Sequence, residues 1–157
     1  QVLGQYYQFI RLGFEGYKEI QENSMAIAKY LHDEIGKMKP FVNYGKEVVN
    51  PLFIWMMCKH YAKTAKWTLF DLQDKLKQNG WMVPAYTMPK NIEDWVVMRI
   101  VVRQGFSRDM AEMLLGDIRN AINELEKLEY PTPSRIALER KEKVKGSIFT
   151  HTGGKRK

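Results

Sequence analysis

The side chain best suited to chemistry in this sequence is Arg99, which lies within a strongly apolar stretch. The run from Trp95 to Val102 is rich in β-branched residues and predicts a β-strand. A guanidinium keeps its charge at any ordinary pH, and burying it without a partner is costly. A structural interpretation pairs Arg99 with an internal carboxylate or with carbonyl oxygens. A functional one has its planar fork bind the carboxylate of a ligand.

From the residues alone, neither the histidines nor the cysteine predict a site. A lone histidine such as His151, near the end of the chain, carries no role by itself, although histidine is the side chain whose charge changes near neutral pH. We expect His32 on the polar side of a helix and His60 in a loop, and neither is spaced from Cys58 as zinc ligands are. The sequence contains no Gly-rich phosphate loop, nucleophile motif or metal motif, so we predict no metal site.

Composition and charge point to a single globular domain followed by a basic tail. The chain has 157 residues, of which 45% are hydrophobic, and a net charge of +7. Residues 131–157 carry eight basic and two acidic side chains, whereas residues 1–130 are nearly neutral, so the charge does not predict a nucleic-acid-binding face. No stretch has the length of a membrane span, and we expect a cytoplasmic protein. Because Gln1 follows no initiator Met, we also expect a piece of a longer chain.

The hydrophobic pattern predicts an α+β fold, in which a long N-terminal helix precedes a small, mostly antiparallel sheet that helices cover on one face. We divide the chain into a helical segment at 1–37, a small α+β domain at 38–130 and a flexible basic tail at 131–157. The expected elements, in chain order, are a helix from Val2 to about Met38 with a bend near Gly13 to Gly16, strands at Phe41–Tyr44 and Leu52–Cys58, a polar loop at Lys59–Lys66, a helix from Thr68 to Asn79-Gly80, a strand start at Trp81–Val83, the Arg99 strand, and a helix after Ser107.

Local patterns add three expectations. Thr68 and Asp71 stand at capping-box spacing. Arg103 lies on the same face of the strand as Arg99 if that strand stays regular. The last helix has an apolar face, which Pro131 and Pro133 end, made of Met110, Met113, Leu114, Ile118, Ala121, Ile122 and Leu125.

Three blocks of sequence resemble glutamate decarboxylases over residues 1 to about 128. They are Gln1-Val2 with Gln5-Tyr6-Tyr7, Arg11-Leu12-Gly13 and Glu15-Gly16-Tyr17; Gly80-Trp81 with Val83-Pro84-Ala85-Tyr86-Thr87; and Val97-Met98-Arg99-Ile100 with Arg103 and Gly105-Phe106. The blocks occur in the same order and at the same spacing as in that family. In addition, Phe149-Thr150-His151-Thr152 resembles the C-terminal end of the bacterial members.

The resemblance implies a pyridoxal-phosphate-dependent enzyme of the aminotransferase-like fold (fold type I) that converts L-glutamate to 4-aminobutyrate and carbon dioxide. It implies that residues 1–37 lead out of a large domain absent from this chain, and that the intact enzyme is a homo-oligomer. By the same resemblance, Arg99 binds substrate, and His151 closes the active site at neutral pH. The family's cofactor lysine follows a histidine, and no His-Lys step occurs here. We therefore expect no catalytic residue, no bound cofactor and no activity in this chain alone.

Three other interpretations remain open from the sequence. The chain could be a stand-alone α+β module in which Arg99 binds a small carboxylate ligand. The basic tail could recruit a nucleic acid or an acidic membrane surface, which would make binding salt-sensitive. Within the family of pyridoxal-phosphate decarboxylases, the substrate could be another acidic amino acid.

Overall fold

The computed structural model describes residues 1–140 and confirms the predicted α+β class. The order of the main helices and strands along the chain is close to the one that the hydrophobic pattern predicts. Their bounds are α1 Val2–Gly36, β1 Phe41–Tyr44, β2 Leu52–Met57, α2 Lys59–Thr64, α3 Leu69–Gln78, β3 Ala85–Thr87, β4 Val96–Val101 and α4 Arg108–Glu126.

The four strands form one antiparallel sheet in the order β1-β2-β4-β3. Because successive side chains of a strand point to opposite faces, each strand divides its residues between a helix-covered face and an open face. The covered face presents Phe53 and Trp55 from β2 and Met98 and Ile100 from β4, all of them buried. They share one core with buried side chains of α1, α3 and α4, including Leu31, Ile35, Leu72, Leu76, Leu115 and Ile118.

Helix α1 bends where the sequence predicts. Gly13 has φ 58° and ψ −170°, a conformation that costs glycine less than any residue with a β-carbon. The second half of α1 packs on the sheet through Ile27, Leu31 and Ile35. Every large apolar side chain from Val2 to Ile10 is more than half exposed, although the Phe9 ring lies 5.9 Å from the Tyr17 ring of the same helix.

Both ends of α3 form as predicted. The Asp71 carboxylate accepts a hydrogen bond from the Thr68 backbone N–H at 2.7 Å, completing the capping box. At the other end Gly80, at φ 87°, donates its N–H to the Lys77 carbonyl, and the Trp81 N–H bonds the Leu76 carbonyl. This pair of bonds is a Schellman motif, which ends the helix at Asn79-Gly80.

The expected apolar face of α4 is partly wrong. Ser107 caps the helix as predicted, since its Oγ accepts the Met110 N–H at 3.2 Å. However, Met110 and Met113 are 38% and 64% exposed, whereas Ala111 and Leu115 are buried. The long apolar side chains at 110 and 113 widened the predicted stripe, but only one face of α4 contacts α1 and α3.

Two local predictions between the helices are also wrong. The stretch predicted as a polar loop contains the six-residue helix α2, none of whose residues is buried. The strand predicted at Trp81–Val83 begins instead at Ala85 and pairs with β4 along one side. Because the Schellman motif draws Trp81 back toward α3, the chain becomes extended and pairs only after Pro84.

Ion pairs connect the helices on the solvent side. Lys75 of α3 lies 2.7 Å from Glu124 of α4, and this hydrogen bond lowers the pKa of the Glu124 carboxyl. Glu34, near the end of α1, accepts a hydrogen bond from Lys37, which lowers its pKa, and lies 3.5 Å from Arg119 of α4. Surface ion pairs of this kind add little stability.

The first ten residues of the segment expected to be a tail contact the domain. Residues 133–140 are helical, and the Thr132 Oγ accepts the Arg135 N–H at 3.2 Å as an N-cap. The Thr132 hydroxyl also donates to Asp71 at 2.8 Å, and the Arg135 guanidinium donates to the carbonyls of Ala62 and Lys63 at the end of α2. We call these contacts of Thr132 and Arg135 the C-terminal anchor.

Replacing Thr132 with valine should release this anchor. Valine keeps the shape of threonine but cannot cap the helix or bond to Asp71, so we expect a local loss of about 1–2 kcal/mol. Hydrogen exchange should show weaker protection of the amides of residues 135–137, with the core of α3 unchanged. Ser134→Ala, a change in the same segment, is the matched control, and equal protection in both variants would contradict the role given to Thr132.

Candidate functional site

Arg99 lies at the centre of the open face of the sheet. Its neighbours in register are Ile54 on β2 and, beyond the end of β3, Pro84, whose carbonyl accepts the Arg99 backbone N–H at 3.2 Å. The Arg99 side chain is exposed, whereas Met98 and Ile100 on either side are buried against the helices. The strand therefore holds the backbone of Arg99 firmly and directs its guanidinium away from the helices.

One aromatic ring contacts Arg99 on this face, and a pair of aromatic rings lies elsewhere on it. The Tyr86 ring centroid lies 5.8 Å from the Arg99 guanidinium carbon, within the range of a cation–π contact. Tyr44 and Trp95, each about half exposed, meet edge to face with centroids 6.4 Å apart. Within residues 1–140 the Arg99 side chain makes no hydrogen bond or ion pair, so the internal ion pair of the structural interpretation is absent from this part of the chain.

The prediction that Arg103 shares this face is not met, because β4 ends at Val101. Arg103 is exposed in the following turn, where its carbonyl accepts the Phe106 N–H. Lys90 is also exposed. Arg108 is exposed as well, with its guanidinium carbon 3.1 Å from the Tyr30 ring centroid and its Nε donating to Glu112.

The histidines take different places from those predicted. His32 is buried rather than on a polar face, with its ring edge-on to Phe53, and its Nε2 has no hydrogen-bond partner among residues 1–140. His60 lies in α2, not in a loop. Cys58, half-buried, has its Sγ 3.9 Å from the Lys39 carbonyl oxygen. His151 lies outside the described residues.

The described part of the chain shows neither a metal-binding cluster nor a membrane-spanning helix. Residues 1–140 contain no group of three or more acidic, histidine or cysteine side chains arranged to hold a metal ion. None of the described helices combines the length and apolarity needed to cross a bilayer. Arg99 and its aromatic neighbours therefore form the arrangement best suited to binding a ligand, and an exposed guanidinium on a rigid strand suits a carboxylate or another planar anion.

Sequence relatives identify the family. A glutamate decarboxylase of Solanum lycopersicum is 38% identical over 145 residues, which is 92% of this chain. This chain belongs to the glutamate decarboxylase family. It spans about 28% of the length of that relative. No family model matches the chain.

Solved structures agree with this assignment to the glutamate decarboxylase family. A glutamate decarboxylase of Lactobacillus brevis superposes with a TM-score of 0.73 at 41% identity, over 82% of this chain and 29% of that one. An Oryza sativa TDC solved with PLP and tryptamine has a TM-score of 0.62 over 76% of this chain and 26% of that one. At 14% identity this second likeness supports the fold alone.

Two features of the molecule escaped the sequence reasoning. Tyr86 was part of a recognised block, but only the register of β3 with β4 places its ring beside Arg99. The C-terminal anchor had a visible signal, because a threonine followed by Pro133 is a typical helix start. The prediction that Pro131 and Pro133 end the preceding helix does not include this second helix start.

Proposed function

We propose that this chain is the C-terminal part of a pyridoxal-phosphate-dependent glutamate decarboxylase. The intact enzyme converts L-glutamate to 4-aminobutyrate and carbon dioxide: the bond from the α-carbon to its carboxylate breaks, and a proton takes its place. The observation that carries the proposal is the similarity to curated glutamate decarboxylases along 81–92% of the chain, from plants and from bacteria.

In this proposal Arg99 binds a carboxylate of the substrate. Its guanidinium is planar, permanently charged and able to donate two parallel hydrogen bonds to one carboxylate. The backbone of the strand that carries Arg99 is paired on both sides. Within residues 1–140 no acidic side chain pairs with Arg99, so none competes with a bound carboxylate. Arg99 therefore orients the substrate, and its own protonation state does not change during the reaction.

The cofactor belongs to the part of the enzyme that this chain lacks. The chain has no His-Lys step, and the described neighbour of the Arg99 guanidinium is the Tyr86 ring rather than a cradle of backbone N–H groups. These residues do not fit the phosphate or the aldehyde of pyridoxal phosphate, so we assign no contact with it to this chain. When bound in the intact enzyme, pyridoxal phosphate supplies the electron sink for decarboxylation.

The proposal extends to the packing partners and the cellular location of the intact protein. The apolar side chains of residues 2–10, which are exposed here, would pack against the large domain of the same enzyme or within a homo-oligomer of two or more subunits. The isolated chain is expected to be inactive. We propose a cytoplasmic location, which the single cysteine, Cys58, supports.

The test is to express the full-length gene that contains this sequence and to measure carbon dioxide released from L-glutamate with pyridoxal phosphate present. We expect release that depends on both compounds, together with one equivalent of 4-aminobutyrate. L-aspartate, which is one methylene shorter, tests for another acidic substrate. A protein that releases carbon dioxide from neither amino acid would refute the proposed activity.

We also propose that His151 limits activity at neutral pH. The support is the resemblance of Phe149-Thr150-His151-Thr152 to the end of the bacterial enzymes and the ordinary pKa range of histidine. Removing residues 149–157 from the intact enzyme should raise the activity at pH 7 several-fold relative to that at pH 5. His151→Ala should reproduce much of this change, whereas removing only residues 153–157 should not. An unchanged pH–activity curve after the longer truncation would contradict the proposal.

A further inference from the structure

Among the described contacts, one side chain is placed to control the direction in which Arg99 points. The Arg99 guanidinium has no hydrogen bond or ion pair within residues 1–140, and its one close aromatic neighbour is the Tyr86 ring, 5.8 Å away. A long, exposed side chain has many rotamers, and restricting them before a ligand arrives lowers the entropic cost of binding. A neighbour that holds Arg99 in one orientation would therefore strengthen carboxylate binding without touching the ligand.

The backbone of Tyr86 is held from both sides, so its ring can act as a fixed platform. On one side β3 pairs with β4, with Tyr86 in register with Val97. On the other side the Ala85 N–H, which faces away from the sheet, donates to the side-chain oxygen of Gln73 in α3 at 2.6 Å. An edge strand would otherwise leave this N–H to solvent.

The register also explains why the ring and the guanidinium meet. Tyr86 lies directly across from Val97, so Arg99, two residues further along β4, is its diagonal neighbour on the open face, a distance that long and aromatic side chains span. Val97 itself is fully buried, although it shares this face with the exposed Arg99. Its burial indicates that neighbouring side chains fold over it.

We propose that Tyr86 is a positioning residue for Arg99: the face of its ring holds the guanidinium over the open face of the sheet, so that the fork meets the substrate carboxylate in one orientation. This inference rests on the proposed function of Arg99. The attraction comes from the aromatic ring and not from the hydroxyl, since a cation is drawn to the π-face. Phenylalanine at position 86 should therefore preserve the positioning of Arg99, whereas an aliphatic residue should not.

The experiment is steady-state kinetics of the full-length enzyme with Tyr86→Leu and Tyr86→Phe. We expect Tyr86→Leu to raise the KM for glutamate about fivefold, with kcat within twofold of wild type, because binding and not the chemical step loses a preorganised group. Tyr86→Phe should stay within twofold in both constants. Tyr86→Thr, which suits an edge strand, serves as the ringless variant if the leucine variant is insoluble.

An Arg99→Gln background separates positioning from a merely structural role. Glutamine has no charge for the Tyr86 ring to attract, so the same ringless substitution should change KM less than twofold there. An unchanged KM in both ringless variants, or equal losses in Tyr86→Phe and Tyr86→Leu, would overturn the positioning role and leave the function of Arg99 intact. If Arg99→Ala and Arg99→Gln both behave as wild type, it is the proposed function itself that fails.

Discussion

Arg99→Ala in the full-length enzyme is expected to lower kcat/KM for glutamate at least about a hundredfold. The change removes a charged, bidentate hydrogen-bond donor, and losing such a contact to a carboxylate costs about 3 kcal/mol or more. It should leave folding intact, because Arg99 is exposed and makes no hydrogen bond or ion pair through its side chain within residues 1–140. Activity and stability are thus expected to separate at this position.

The measurement is carbon dioxide release over a range of glutamate concentrations, with the melting temperature of each variant determined in parallel. Arg103→Ala is the matched control, since Arg103 is also exposed and lies four residues on, but in the turn beyond β4. It should stay within about twofold of wild type, because an exposed side chain beyond the end of the strand has little effect when truncated. Equal activity losses in the two variants would show that the position of Arg99 on the sheet has no special role.

Trp55→Ala is expected to give the largest loss of stability, about 3–5 kcal/mol. Trp55 is fully buried in β2, where it lies in register with Met98 of β4 and with Asn43 of β1, and its ring packs edge to face on Phe41 at 4.4 Å. Removing it would leave a cavity between the sheet and the helices that neighbouring side chains cannot fill. Since β2 is the strand next to Arg99, activity should fall along with stability.

Trp55→Phe separates packing from hydrogen bonding at this position. The indole Nε1 of Trp55 is buried and has no hydrogen-bond partner among residues 1–140, so losing this N–H removes an unsatisfied donor. We expect Trp55→Phe to cost about 1–2 kcal/mol, well below the alanine variant. Calorimetric melting of the variants, with the 64%-exposed Met113→Ala as the surface control, is the measurement. Equal melting temperatures for Trp55→Ala and Met113→Ala would contradict the core assignment.

Local patterns were sufficient wherever a residue interacts with near neighbours in the chain. The capping box at Thr68, the cap at Ser107, the bend at Gly13 and the helix end at Gly80 were all predicted and all confirmed. Each depends on backbone geometry and hydrogen bonds within a few residues, which the residue types themselves determine.

Predictions failed where burial depends on distant parts of the chain. The polarity of histidine predicts that His32 lies on the polar side of its helix, but the packing of α1 on β2 buries its ring against Phe53. The apolar side chain of Met113 predicts a buried position, but in α4 this residue faces solvent. In both cases burial depends on which elements pack against the helix and not on the polarity of the side chain. The periodicity of the sequence alone does not specify which elements those are.

By itself, the sequence determined the α+β class, the order of the main elements and the glutamate decarboxylase family, and it singled out Arg99 as the side chain to explain. Only the tertiary structure decided that Arg99 is exposed on the open face, that Tyr86 is its neighbour, and that Thr132 and Arg135 anchor the segment after α4. The reason is physical. A charge in an apolar strand can be recognised from neighbouring residues, but its face and its partners depend on strand register and on contacts between residues far apart in the chain.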